Sequence, residues 1–500
     1  MFKSIWNEIQ IEKRPTLQSN LQREVAIIGG GMAGILIAYH LQKLGKQVVI
    51  LEADRMGHGI TLNTTAKITS QHNLIYQYLV DSFGLEKARE YAKYNENAIS
   101  QYESIIKEEH IDCDFEHKDA YVYTLQDTKN LEAEAVTASK LGIEAAFTKE
   151  TALPFPVKGA VKFVNQAQFH PLKFIKAIAR ELEIYEQTTV EERKGEHTLI
   201  ATTEQEDGSI KRWKIEAEDI VLANHYPFEK LKGLYATRMY QEREDILVVK
   251  APEALPYGMY IGADNTGNSF RKYKDYLIVA DKSHRPGIQK VKKPMEELEA
   301  AVRQYYKEAE VCYRMVNQDC MTVDRIPYIG HYTKGLPHVY IATGFNKWGM
   351  SSAMVSALIL SEMICKEDRK EDSIFSPQRS PLKGEGSKEE LANHITTVIH
   401  HFTLQKLPIR PENVEELKPE QGMVTKYHGK HIAVYRDKDG EYHCFSARCP
   451  HLGCLLEWNQ EEKSWGCPCH GSHFDALGNL ICGPALEEMR KKTIKISENK

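Results

Sequence analysis

Along the chain, the first clear pattern is a β-branched and apolar run at residues 24–28, followed at once by glycines. Its composition predicts a strand. A helical spacing of apolar residues then covers 32–44, Gly45 marks its end, and 47–51 predicts a second strand. Strand, turn, helix and strand in this order make a βαβ unit. Helical periodicity dominates 74–110. From about 144 to 280 short strands and turns are expected, with strand-like pieces at 211–216 and 220–223 ahead of Tyr226-Pro227. A late strand over 338–343 runs into Gly344 and a helix from about Ser351. The pattern changes after Cys365. The runs KEDRKED and SPQRSPLKGEGSKEE predict a solvated linker, a short helix is expected near 388–401, and from about Thr403 short strands alternate with turns.

This pattern divides the chain into an N-terminal extension (1–22), an α/β (α+β) domain of Rossmann type with an inserted β-rich substrate domain (23–380), a linker with a short helix (381–402) and a small all-β domain (403–500). A length of 500 residues agrees with more than one core. The formal net charge of −5, with 42% hydrophobic and 27% charged residues, points away from nucleic acid and from an anionic membrane surface. The opening stretch MFKSIWNEIQIEKRPTLQSN is mixed and polar, with no apolar h-region. The longest apolar stretch, 353–364, is interrupted by Ser and Glu, so no transmembrane segment is expected. The expected location is the cytoplasm.

Six of the ten cysteines crowd into the last 57 residues, interleaved with histidines. The text reads Cys449-Pro-His451-Leu-Gly-Cys454, then Cys467-Pro-Cys469-His470-Gly-Ser472. Such a local crowd predicts a metal site rather than a disulfide scaffold. One Cys-His pair on each of two loops suits a [2Fe–2S] cluster with unequal irons, one held by two thiolates and one by two neutral imidazoles. Zinc is the alternative metal, and it would leave Cys454 and Cys469 unexplained.

The two boxes resemble those of the Rieske family over roughly 403–498. The resemblance implies that Cys449, His451, Cys467 and His470 bind the cluster, and that Cys454 and Cys469 form a disulfide tying the two loops. That pair marks the respiratory-type branch of the family. Gly483-Pro484 resembles the loop that covers the cluster, which makes Pro484 a neighbour of it. Ser472 matches a serine that donates to a cluster sulfide. Phe474 stands where respiratory members carry a tyrosine that donates to a ligand sulfur, so a lower reduction potential is expected. Cys444 and Cys482 match no ligand position and are expected to be ordinary thiols.

Gly29-Gly-Gly31-Met-Ala-Gly34 lies between the first strand and the first helix. Gly29 serves the tight turn, Gly31 the approach of a pyrophosphate, and Gly34 the packing of helix on strand. Glu52 ends the second strand, where it can accept from ribose hydroxyls and would repel a 2′-phosphate. The stretches 25–66, 220–228, 324–330 (DRIPYIG) and 340–350 resemble the D-amino acid oxidase/glycine oxidase superfamily of FAD proteins, over about 24–379. In that family the residues after the acidic one wrap the flavin pyrophosphate and ribityl chain. Here they are Arg55, Gly59, Thr61, Asn63 and Thr64. Val190 corresponds to a strand touching the adenine ring. The turn holding Gly344, Lys347, Gly349 and Met350 would bring N–H groups and a helix N-terminus to the flavin.

The chain departs from this family at the arginine that clamps a substrate carboxylate upstream of DRIPYIG. Asn317-Gln318-Asp319 stands there, with Gln318 at the clamp position, and Arg238, Arg271 and Arg314 are the candidate substitutes. Lys67 and His72 fall where the family lines the reacting face of the flavin. Together these features predict an oxidoreductase in which a small organic, amine-type substrate reduces FAD. Electrons then reach the Rieske cluster, whose exposed histidine edge would pass them to an unidentified outside partner. A redox sensor or electron-transfer module with a degenerate substrate site is the alternative expectation.

Overall fold

The computed structural model of the chain describes residues 3–229, 232–264, 267–281, 283–288, 294–366, 372–384, 386–403 and 414–493. They form two compact units. The first comprises Met1–His225, Glu244–Ser283 and Pro294–Ser387, and the second Tyr226–Arg243, His284–Lys293 and Lys388–Lys500.

In the first unit, the strand Leu21–Ile28 pairs in parallel with Val48–Leu51 on one side and Ile210–Leu222 on the other. Val339–Thr343 extends this sheet in parallel, and Tyr328–His331 closes its edge antiparallel. Residues 25–28 are all buried, as expected of a strand covered on both faces. The helix Met32–Lys43 packs on Gly349–Lys366, and both bury most of their length. Among the described residues Gly349–Lys366 is the one helix long and apolar enough to cross a membrane, and 72% of it is buried inside the fold. A second sheet of nine strands carries Glu310–Thr322, Ser269–Tyr273, Glu116–Thr124 and, at its far edge, Lys67–Ile68.

Several elements differ from expectation for visible reasons. The helical stretch 74–110 is two helices, Tyr76–Phe83 and Leu85–Glu108, because Gly84 turns the chain at φ +86°. The two strand pieces near 211–223 are one strand, Ile210–Leu222. Its first half pairs with the hairpin strand Thr198–Glu204 and its second half with Leu21–Ile28, so the charged Glu218-Asp219 does not interrupt it. The short helix expected near 388–401 spans Ser387–Thr403. The polar N-terminal extension carries Ile5 and Trp6 into the core of the first unit.

The second unit contains a three-stranded antiparallel sheet, Gln421–Tyr427, Lys430–Arg436 and Tyr442–Ser446. A four-stranded sheet joins Glu457–Asn459, Ser464–Gly466, His473–Asp475 and Leu480–Cys482. The two Cys-His boxes lie in the turns that precede Glu457–Asn459 and His473–Asp475, on an apolar core that includes Leu456, Trp465 and Phe474.

Candidate functional site

The glycine loop is built as its spacing predicts. Gly29 has φ +109°, and a Cβ there would stand 2.6 Å from the Ala223 carbonyl oxygen. At Gly34 a Cβ would lie 1.9 Å from the Gly29 carbonyl oxygen, so only glycine lets the helix sit this close to the turn. Glu52 folds back on the loop, accepting from the N–H of Gly30 at 2.6 Å and of Asp54 at 2.8 Å, and burial raises its pKa. The Thr61 hydroxyl accepts from the Met32 N–H at 3.1 Å, at the helix N-terminus where a pyrophosphate is expected. The loop of Gly59, Asn63 and Thr64 holds itself through Asn63 Nδ2, which donates to the Gly59 carbonyl at 3.0 Å. The N-terminal extension then straps it. Trp6 Nε1 donates to the Thr64 carbonyl at 2.7 Å, and Arg55 donates to the Ile11 carbonyl at 2.8 Å while facing Glu186 at 3.7 Å. Val190 is buried in the strand Thr189–Lys194.

Three residues of the 344–350 turn are left-handed, Gly344, Asn346 and Lys347. Asn346 fixes the turn by accepting from the Thr322 N–H at 2.8 Å and donating to the Gly344 carbonyl at 2.7 Å. The turn delivers the chain to the N-terminus of Gly349–Lys366. Gly349 needs no positive φ, and a Cβ on it would meet nothing within 4 Å. Open space over a helix N-terminus is what a flavin edge requires. Together with the Gly29–Gly34 cradle, it makes the residues present fit FAD.

Of the residues expected on the reacting face, Lys67 donates to the Tyr260 carbonyl at 3.2 Å and to the Ser269 hydroxyl. Desolvation pulls its pKa down to about 7, against the opposing pull of Glu244. His72 has both ring nitrogens engaged, Nδ1 with the Tyr91 hydroxyl at 2.6 Å and Nε2 with the Thr69 carbonyl and Ser351 hydroxyl. Its ring stacks on Trp348 at 4.7 Å, so it buttresses the 344–350 turn. Burial brings its pKa to about 3, which keeps it neutral. Gln318 is buried. The candidate replacement arginines are committed elsewhere. Arg271 donates to Gln168 Oε1 and to the carbonyls of Thr65 and Phe169. Arg314 pairs with Glu299 at 2.8 Å on a half-exposed flank, and Arg238 lies over the Tyr235 ring in the second unit.

In the second unit, Cys449, His451, Cys467 and His470 are all buried. The Cys449 thiol is drawn down to about 7, chiefly because Cys467 donates to it. The Ser472 hydroxyl and two backbone N–H groups add to the effect against burial. The same hydroxyl accepts from the Ala485 N–H at 3.0 Å, so it is oriented. The two histidine rings stand edge to face at 5.0 Å. His470 Nδ1 is buried with no hydrogen-bond partner among the described residues. Cys454 and Cys469 form a disulfide with a Cα–Cα separation of 6.6 Å. The sulfurs of Cys454, Cys467 and Cys469 lie within 4.8 Å of one another, but the disulfide leaves only Cys467 of these three to bind iron. Two adjacent buried thiols, with Cys449 drawn toward ionisation and Cys467 pushed the other way by donating to it, and two buried imidazoles, with Nδ1 of His470 unbonded, fit a [2Fe–2S] cluster. Pro484 follows a cis peptide bond, and Phe474 is fully buried in the same core. Cys444 and Cys482 are half-buried, with thiols pushed up to about 11 by burial.

One expectation is corrected. The histidine edge is not exposed: His451 is 3% and His470 2% accessible. The groups that cover it, among them Ala236 and His394, lie in segments that carry no metal-site signature in the sequence.

Comparison with known proteins agrees with both halves. Residues 24–363 match the FAD dependent oxidoreductase family, and residues 409–494 match the Rieske [2Fe-2S] domain. A putative Rieske 2Fe-2S iron-sulfur protein, YhfW of Bacillus subtilis, is 34% identical over 95% of this chain and 94% of its own length. The cytochrome b6-f complex iron-sulfur subunit 2 of Cyanophora paradoxa is 44% identical over 69 residues, 14% of this chain and 29% of that protein. Glycine oxidase from Geobacillus kaustophilus shares the fold at a TM-score of 0.59 and 18% identity, over 72% of this chain and all of that one.

Proposed function

Because the chain belongs to the FAD dependent oxidoreductase family and carries a C-terminal Rieske [2Fe-2S] domain, we propose that it oxidises a small amine-type substrate and hands the electrons to a separate redox partner. FAD and a [2Fe–2S] cluster are its cofactors. Bound FAD takes two electrons from a C–H donor, and the cluster carries one at a time.

The chain's own residues prepare the rest. The turn 344–350, stiffened by Asn346 and backed by the His72–Trp348 stack, presents the N-terminus of Gly349–Lys366, where negative charge is stabilised. The Lys67 amine holds a proton at low pH and is free to accept one above about pH 7. Ser269 and the Tyr260 carbonyl fix its position.

The observation that carries the amine reading is the commitment of Arg271, together with Gln318 in place of a clamp arginine. Arg271 has its guanidinium bound to three acceptors, so it does not serve as the clamp for a carboxylate. A panel of amines, added anaerobically while flavin absorbance is followed, tests the reading. Amines lacking a carboxylate should bleach the flavin, whereas glycine and D-alanine should do so poorly, at a binding loss on the order of 2–4 kcal/mol. Rapid reduction by glycine would overturn the clamp argument. Bleaching by none of the panel would favour an electron-transfer module with a degenerate substrate site.

A further inference from the structure

The second unit contains more than the Rieske domain. It also holds Tyr226–Arg243 and the start of His284–Lys293, which fall within the stretch matching the FAD dependent oxidoreductase family. Of this segment residues 226–229 and 232–243 are described, and Tyr226 and Ala236 lie on the imidazole edge of the candidate cluster site. His470 Nε2 donates to the Ala236 carbonyl at 3.1 Å. The same carbonyl accepts from Nε2 of the buried His394 at 2.9 Å, on the helix Ser387–Thr403. The His394 ring meets His470 edge-on at 5.8 Å, and the Tyr226 ring stands 6.2 Å from His451 and 6.4 Å from His470.

The segment is held in place from its other end. Arg243 Nη2 donates to both carboxylate oxygens of Glu462, at 2.8 and 2.7 Å, and Nη1 donates to His473 Nδ1 at 3.2 Å, next in sequence to the second Cys-His box. Gln241 Nε2 donates to the carbonyl of Gly483 at 3.4 Å, beside Pro484. These contacts bury polar groups that an open edge would leave to water. The pair is buried, with side chains 9% and 11% accessible, so breaking it from one side would leave an uncompensated charge.

We propose that Tyr226 and Ala236 form a resident cap on the cluster: the edge that an outside acceptor would use is occupied by residues of this chain's own flavoprotein stretch. The Ala236 carbonyl fixes the Nε2–H tautomer of His470, which leaves Nδ1 for iron and raises the basicity of the ring. Ala236 and His394 are positioning residues, and a soluble partner must meet the domain on a different face. The inference rests on the cluster assignment above but not on the substrate.

The test is chemical labelling of the oxidised holoprotein with diethyl pyrocarbonate, followed by peptide mass spectrometry. The reagent acylates an imidazole nitrogen it can reach. His110 and His428, both exposed, should react readily, while His451 and His470 stay unmodified. Tyr226→Ala should then raise the labelling rate at His470 at least tenfold. Arg243→Met serves the same purpose if the first variant loses its cluster. Labelling of wild-type His470 at the rate of His110 would overturn the cap. So would protection that persists in a cluster-containing variant, since iron alone would then explain it. Neither outcome depends on turnover, so failure of the amine reading would leave this result intact.

Discussion

Replacing Glu462 by glutamine removes one charge from a buried pair and leaves the Arg243 guanidinium facing an amide. The side chains are 9% and 11% accessible, so solvent does little to screen their attraction. Burial alone would raise the pKa of Glu462, but Arg243 and His473 more than reverse this and hold it at about 2 instead of its ordinary 4.5. The group titrates lower folded than unfolded, so its contribution is complete above about pH 4.5 and is lost as pH falls toward 2. At neutral pH that contribution is roughly 3 kcal/mol, in line with the 3–5 kcal/mol typical of breaking a buried pair from one side. A domain of this size loses roughly 2–4 °C of melting temperature per kcal/mol, so Glu462→Gln should melt roughly 6–12 °C below wild type. Thermal unfolding followed by the visible circular dichroism of the cluster reads this directly. The gap between the two proteins should narrow as pH is lowered below 4.5. A variant within roughly 1 °C of wild type at neutral pH would refute the reasoning, since the pair would then contribute nothing to this unit.

Other substitutions probe the two cofactor sites separately. Cys449→Ser should abolish the cluster spectrum and leave the flavin spectrum in place; loss of both would mean that the units do not hold their cofactors independently. Gly34→Ala puts a Cβ 1.9 Å from the Gly29 carbonyl oxygen, so the purified variant should retain little or no flavin while keeping its cluster. Phe474→Tyr, at a fully buried position in the cluster core, should raise the midpoint potential by roughly tens of millivolts in protein-film voltammetry, because about 59 mV is a tenfold bias in a one-electron couple. An unchanged or lower midpoint would show that the ring does not face a ligand sulfur. The rate of flavin reduction should rise with pH through about 7 as Lys67 loses its proton, and Lys67→Met should lose that inflection under stopped-flow anaerobic mixing.

The local geometry that a spacing dictates was legible in the sequence. Gly29, Gly34 and Glu52 follow from the needs of a strand–turn–helix cradle, and the two Cys-His boxes from the donor set of an unequal cluster. The disulfide of Cys454 and Cys469 was legible only through family resemblance, since spacing alone does not pair cysteines. The cap was not legible. Its key acceptor is the backbone carbonyl of Ala236, which no residue type announces, and His394 sits in a stretch whose composition reads as linker. Trp6 was hidden for a related reason. Its neighbours are polar, and only the long-range bond from its indole to the Thr64 carbonyl shows that the N-terminal extension straps the 59–64 loop. His72 was placed on the reacting face by analogy, while the structure engages both its nitrogens and stacks it on Trp348.

The central claim is that electrons taken from substrate at FAD reach the Rieske cluster of the same chain. Anaerobic mixing of dilute holoprotein with an amine that bleaches the flavin, followed by freezing and electron paramagnetic resonance, tests it most directly. The account predicts that the signal of the reduced cluster grows in at a rate independent of protein concentration and is absent in Cys449→Ser. Full bleaching of the flavin with the cluster still oxidised would contradict it.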